Sequence, residues 1–122
     1  MRCVRIHWWL GGLYREFVRR NVDVPYLKLY INTLSEELEL CSERAYDPKV
    51  LQALENLFTR IDRAVSDDEA IDIFARYGRK VARLAGIRCP RLVFGSYDYL
   101  EVMYVPSKPR EIDEARFVEV DV

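Results

Sequence analysis

Arg76, Arg79, Lys80, Arg83, Arg88 and Arg91 put six positive charges into residues 73–97, a stretch with no acidic residue. The chemistry such a group suits is electrostatic. Guanidinium and ammonium groups hold phosphates or carboxylates, the guanidinium in bidentate fashion. The first four recur at i, i+3, i+4 and i+7, so a helix would carry them on one face, with Tyr77, Val81 and Leu84 turned to the core. Arg88 and Arg91 carry the positive potential past the helix end. Asp67, Asp68, Glu69 and Asp72 gather at the start of the same helix, where its dipole favours acids. The dipole accounts for that polarity but not for cations beyond the helix. Tyr97 and Tyr99 follow closely and suit stacking on unpaired bases, although in a strand they are ordinary sheet residues. The competing reading of the stripe is a solvated helix face.

The whole chain segregates its charge. Residues 1–22 carry five arginines against Glu16, and residues 23–72 carry five basic against twelve acidic residues. Residues 98–122 carry three basic against seven acidic, and the net charge is only −1. Net charge therefore conceals two basic and two acidic blocks. A second basic group, Arg2, Arg5, Arg15, Arg19 and Arg20, falls on the first predicted element and either merges with the stripe or stays apart depending on packing, and Glu36, Glu37, Glu39 and Glu43 supply a complementary acidic surface. This pattern serves two expectations: binding to nucleic acid, single- or double-stranded, or docking to an acidic protein surface, including a second copy.

Catalytic and metal chemistries find little support. His7 is the sole imidazole, and neither a phosphate-binding loop nor a dinucleotide fingerprint is present; Gly11-Gly12 alone does not make one. Arg2 and His7 share the R-x4-H spacing that resembles the catalytic motif of the HEPN ribonucleases. In that family the motif lies late in a helical bundle, whereas here it occupies the first seven residues, and two residues carry no assignment. Cys3, Cys41 and Cys89 are far apart and lack metal-ligand spacing, so no zinc site, cofactor or catalytic residue is expected. Buried free thiols are the plain reading; a Cys3–Cys41 or Cys41–Cys89 bridge is the alternative in a hyperthermophile. Fifteen arginines against four lysines, with Gln52 the single glutamine, agree with a thermophile-like composition.

The elements that must position these residues follow from spacing. The 122 residues, half of them hydrophobic, fit one domain with a proper core. Apolar residues from Ile6 to Val18 recur at three-and-four spacing and predict a first helix; a strand through Val4, Ile6 and Trp8 is the alternative. A second helix is read from Pro25 through Leu27, Tyr30, Ile31, Leu34, Leu38 and Cys41. A third opens at Asp47-Pro48, and a fourth at the capping box Ser66-Asp67-Asp68-Glu69, ending at Gly86. After Pro90 the period shortens to two, predicting strands at Leu92–Phe94, Tyr99–Val105 and Phe117–Val122.

The sequence thus predicts a single α+β domain, residues 1–122: a bundle of about four helices (4–85) followed by a small C-terminal antiparallel β-sheet (91–122). No apolar run reaches the roughly 20 residues of a membrane span, and the N-terminus lacks the small-residue cleavage site of a signal peptide, so a cytoplasmic location is expected. The expected function is a small non-catalytic, nucleic-acid-associated subunit gripping phosphates with the six cations. The alternative is a structural or adaptor protein. Adjacent Trp8 and Trp9 cannot both enter one core, so one of them, together with Arg15 and Arg19, is expected in a protein interface of an oligomer or complex.

Overall fold

The computed structural model describes residues 1–31, 36–94 and 100–107, and the backbone of 118–120. Among these residues seven strands and two helices follow one another: β1 (Arg2–Trp9), β2 (Gly12–Arg19), β3 (Tyr26–Ile31), β4 (Glu36–Cys41), α1 (Pro48–Asp62), α2 (Asp67–Leu84), β5 (Pro90–Phe94), β6 (Leu100–Pro106) and β7 (Val118–Val120). All seven strands share one antiparallel sheet in the order β2-β1-β4-β3-β6-β5-β7, and both helices lie on one face of it.

This overturns the expected bundle of four helices followed by a small sheet. The described residues between 2 and 41 hold four strands and no helix, and the sheet dominates the described residues. The error has a simple origin. A spacing of four belongs both to a helical stripe and to one face of a strand, so Leu27/Ile31 and Leu34/Leu38 satisfy either period. Intermediate residues decide. In "YLKLYI", Leu27, Leu29 and Ile31 are buried while Tyr26, Lys28 and Tyr30 are half-buried on the other face. Glu37 and Glu39 likewise alternate in facing with buried Leu38 and Leu40, although Glu39 is itself buried. In the N-terminal segment, Leu10 and Gly11 adopt φ of 50° and 79° between Trp9 and its partner Gly12. Those angles fit a two-residue type I′ turn, which a helix could not accommodate.

The third and fourth helices of the sequence reading exist as α1 and α2. Pro48 occupies the first turn of α1, although Asp47, at the cap position, makes no side-chain capping bond. Ser66 does cap α2, accepting from the Glu69 amide at 3.1 Å, and the Glu69 carboxylate accepts from the Val65 amide at 3.2 Å. Gly86 follows the last turn at φ 91°, a conformation that favours glycine.

The core lies between the helices and one sheet face. Ile6, Leu27, Leu29, Leu38, Leu40, Leu92 and Tyr104 meet Leu54, Phe58, Ile61 and Phe74, all fully buried. Each such side chain contributes roughly 1.5–3 kcal/mol on leaving water. Helix α2 sits close on the sheet because residue 78 is glycine; a Cβ there would stand 3.2 Å from Tyr104 Cε2. Cys3 and Cys41, directly opposed across β1 and β4, form a disulfide with Cα atoms 4.1 Å apart, so these two are not free thiols. Cys89 is free and exposed. No helix among the described residues is long and apolar enough to cross a membrane.

Candidate nucleic-acid interface

The six cations of the sequence analysis divide when α2 takes its place. Core-facing Ala70, Phe74, Gly78, Val81 and Ala82 define the buried side of the helix. Arg76, Lys80 and Arg83, at i, i+4 and i+7, occupy the opposite side, and all three are exposed. Arg76 is paired with Asp72 one turn earlier at 3.4 Å; both partners are solvent-exposed, so the pair is worth about 0.3–0.5 kcal/mol and leaves the charge accessible. Arg88 is exposed in the connection beyond the helix.

The other two cations are used elsewhere. Arg79 is half-buried: its Nη1 donates to the Pro90 carbonyl, and its guanidinium lies over the Tyr104 ring at 5.2 Å. Tyr104 in turn donates its hydroxyl to the Ala75 carbonyl and packs against Phe74. Burial raises the Tyr104 pKa, which the Arg79 charge opposes. Arg79 is a bolt between α2 and the sheet. Arg91 lies on β5 opposite Val105, one position from buried Leu92, and strand alternation places it on the face away from the helices. The predicted six-membered surface is therefore four cations strong. Sequence reasoning missed a fifth neighbour. Arg60, in the last turn of α1, stacks on Tyr77 of α2 at 4.4 Å and adds its charge beside the ridge. Only its position near a helix end hinted at this.

No family model, curated protein or solved structure matches this chain. Its function must be argued from its own side chains.

The sheet face away from the helices carries a different electrostatic arrangement. Glu39, 3% exposed, accepts from Arg5 Nε at 2.8 Å and from the Tyr26 hydroxyl at 2.5 Å, with Arg20 at 3.1 Å and Lys28 at 3.7 Å. Arg5 also meets Glu37 at 3.4 Å and Glu16 at 3.9 Å, and Lys28 meets Glu101 at 3.7 Å. The hydrogen bond to Glu39 raises the Arg5 pKa, and burial followed by the Glu39 contact raises that of Tyr26. Acids match cations here, so this face has little unneutralised charge to offer a polyanion. His7 joins the same face, 3.9 Å from Glu16 and edge-on to Tyr14. Arg2, five residues away, lies on the opposite face over Tyr46, so the R-x4-H spacing assembles no site.

The residues expected at a protein interface gather on the first hairpin. Trp8 turns to the helix side and packs obliquely on Phe58, whereas Trp9, 60% exposed, belongs to the other face at the hairpin tip. Leu10 is 91% exposed at a positive φ. Arg15 is ion-paired with Glu55 of α1, and Arg19 is exposed near the end of β2. Tyr97 and Tyr99, offered as stacking residues, and Leu34, Pro109, Phe117 and Val122, offered as elements of helix, loop and strand, lie outside the described residues.

Proposed function

We propose that this chain is a non-catalytic binding subunit that holds the phosphate backbone of nucleic acid against the outer side of α2. One observation supports the reading most: Arg76, Lys80 and Arg83 form a ridge diametrically opposed to the buried side of the helix, with Arg88 beyond it and Arg60 beside it. Asp72 is the carboxylate that touches the ridge among the described residues, and it engages Arg76 alone. Contacts to the phosphate backbone position a protein without reading base edges, so binding is weakly sequence-selective. The reading places the chain in the cytoplasm. There the Cys3–Cys41 bridge suits a hyperthermophilic host, in keeping with arginine's excess over lysine.

Fluorescence anisotropy with labelled single- and double-stranded oligonucleotides tests this. Four phosphate contacts on duplex DNA give a slope near −3.6 in log–log salt dependence, so affinity falls roughly 10²-fold between 50 and 200 mM salt. The pair Lys80→Glu and Arg83→Glu abolishes binding while the thermal transition stays put, because both side chains are exposed. Arg79→Glu is unsuitable, since that residue ties α2 to β5. Binding that survives the double reversal refutes the assignment.

A second reading, a protein-docking role, has its own support. Trp8, Trp9, Leu10, Tyr14 and Phe17 are five of the nine exposed large hydrophobic residues among the described residues, all on one hairpin. Clustered exposed apolar surface of this kind marks interaction sites more than scattered residues do.

A further inference from the structure

Strand β2 is an eight-residue sheet edge, and the direction of its free backbone groups can be read from its neighbour. Arg20 directs both its amide and its carbonyl at Met1, at 3.0 and 2.8 Å. In an antiparallel ladder this alternates, so even-numbered residues of β2 bond to β1 and Leu13, Arg15, Phe17 and Arg19 aim theirs outward. The strand holds no proline, keeps an unbroken register from Gly12 to Arg19, and carries Tyr14 and Phe17, 48% and 51% exposed, on its two faces. Proline and a bulge, two features that ordinarily protect natural edges, are missing from it, and its charges are Arg15, Glu16 and Arg19.

We propose that a second copy of this chain pairs with β2 antiparallel about a two-fold axis through Arg15, joining two seven-stranded sheets into one. The side chains choose both partner and register. Residues directly opposed across the axis share a face only when their numbers sum to an even value, which leaves few alignments. Centred on Arg15, Leu13 of each copy meets Phe17 of the other on the helix side, and Tyr14 meets Glu16 on the other face. The apolar pair and the tyrosine–carboxylate pair each form twice, as an isologous contact requires. The two Arg15 side chains approach each other already neutralised by Glu55. Neighbouring alignments fail: centring on Glu16 opposes the two Glu16 carboxylates, centring on Phe17 sets Arg15 against Arg19, and centring on Tyr14 sets Leu13 against Arg15. The inference is independent of the α2 reading, because it uses the opposite edge of the molecule's charge map and none of the α2 cations.

Light scattering of the full chain across a concentration series reads the association. The wild type is a dimer at micromolar concentration. Arg15→Pro, which removes an amide that faces away from β1, shifts the mass to that of a monomer, whereas Arg15→Ala keeps the dimer. Should Arg15→Pro fail to fold, cysteine crosslinking decides alone. In a Cys89→Ser background, Arg15→Cys sits at the axis, where a hydrogen-bonded pair holds Cα atoms about 5.5 Å apart, within disulfide reach. It crosslinks quantitatively on mild oxidation, at least tenfold faster than Leu10→Cys. A wild type that stays monomeric, or a dimer that crosslinks no faster through residue 15, overturns the proposal. Lys80→Glu with Arg83→Glu leaves the mass unchanged, which separates this result from the nucleic-acid assay.

Discussion

Replacing Glu39 by glutamine keeps the shape of the side chain and removes its charge, and the surroundings set the size of the loss. The carboxylate is almost fully buried yet serves Arg5, Arg20, Lys28 and Tyr26 at 2.5 to 3.7 Å. At an effective dielectric near 20, one such pair is worth about 4 kcal/mol before desolvation is counted, and desolvation of the acid offsets much of it. The net effect comes from what is left behind. Arg5 retains Glu37 and Glu16, and Lys28 retains Glu101, but Glu39 is the carboxylate within 4 Å of Arg20 among the described residues. The Arg20 Nε is already buried with no hydrogen-bond partner among the described residues. Breaking a buried ion pair by removing one partner costs about 3–5 kcal/mol, and the partly exposed cations place Glu39→Gln at the lower end, near 3 kcal/mol. For 122 residues, with an unfolding entropy of about 2.1 cal/mol/K per residue, that lowers Tm by about 12 °C. Urea denaturation at constant m-value measures it, with Glu16→Gln as the control. Glu16 is more exposed and touches Arg5 only at 3.9 Å, so its loss is below about 1 kcal/mol and disappears at high salt. If the two variants lose the same stability, the buried-hub argument is wrong.

The disulfide and two tyrosines give two further outcomes. The Cys3–Cys41 bridge spans 38 positions, so a chain-entropy treatment gives about 4 kcal/mol of stabilisation; reductant should lower the urea midpoint accordingly, and an unchanged midpoint contradicts a formed bond. Tyr26 and Tyr104 both have pKa values raised above the ordinary 10.0, principally by burial. The unfolded chain therefore releases these protons first, so their stabilising contribution is complete below pH 10 and is lost as pH climbs through the folded values. Urea midpoints that fall between pH 9 and pH 11, with a smaller fall in Tyr26→Phe, would bear this out; a flat profile would not.

The sequence by itself determined the two helices, the Ser66 cap of α2 and the outward ridge on α2, because each rests on contacts within a few residues. Ser66 and Glu69 are three apart, and Arg76, Lys80 and Arg83 lie within two turns. It also determined the alternation that separates buried Leu27, Leu29 and Ile31 from Tyr26, Lys28 and Tyr30, although a spacing of four let that pattern pass for a helix. Only the tertiary structure decided what depended on distant partners. Arg79 left the ridge because Tyr104, 25 positions later in the chain, offered its ring and Pro90 its carbonyl. Arg91 changed sides because a strand reverses direction at every residue, a parity that helical counting does not contain. Cys3 met Cys41, and Glu39 met Arg5 and Arg20, because antiparallel pairing brings β1 beside β4. Strand partners are chosen by the burial of a whole face, a property no short window of sequence holds.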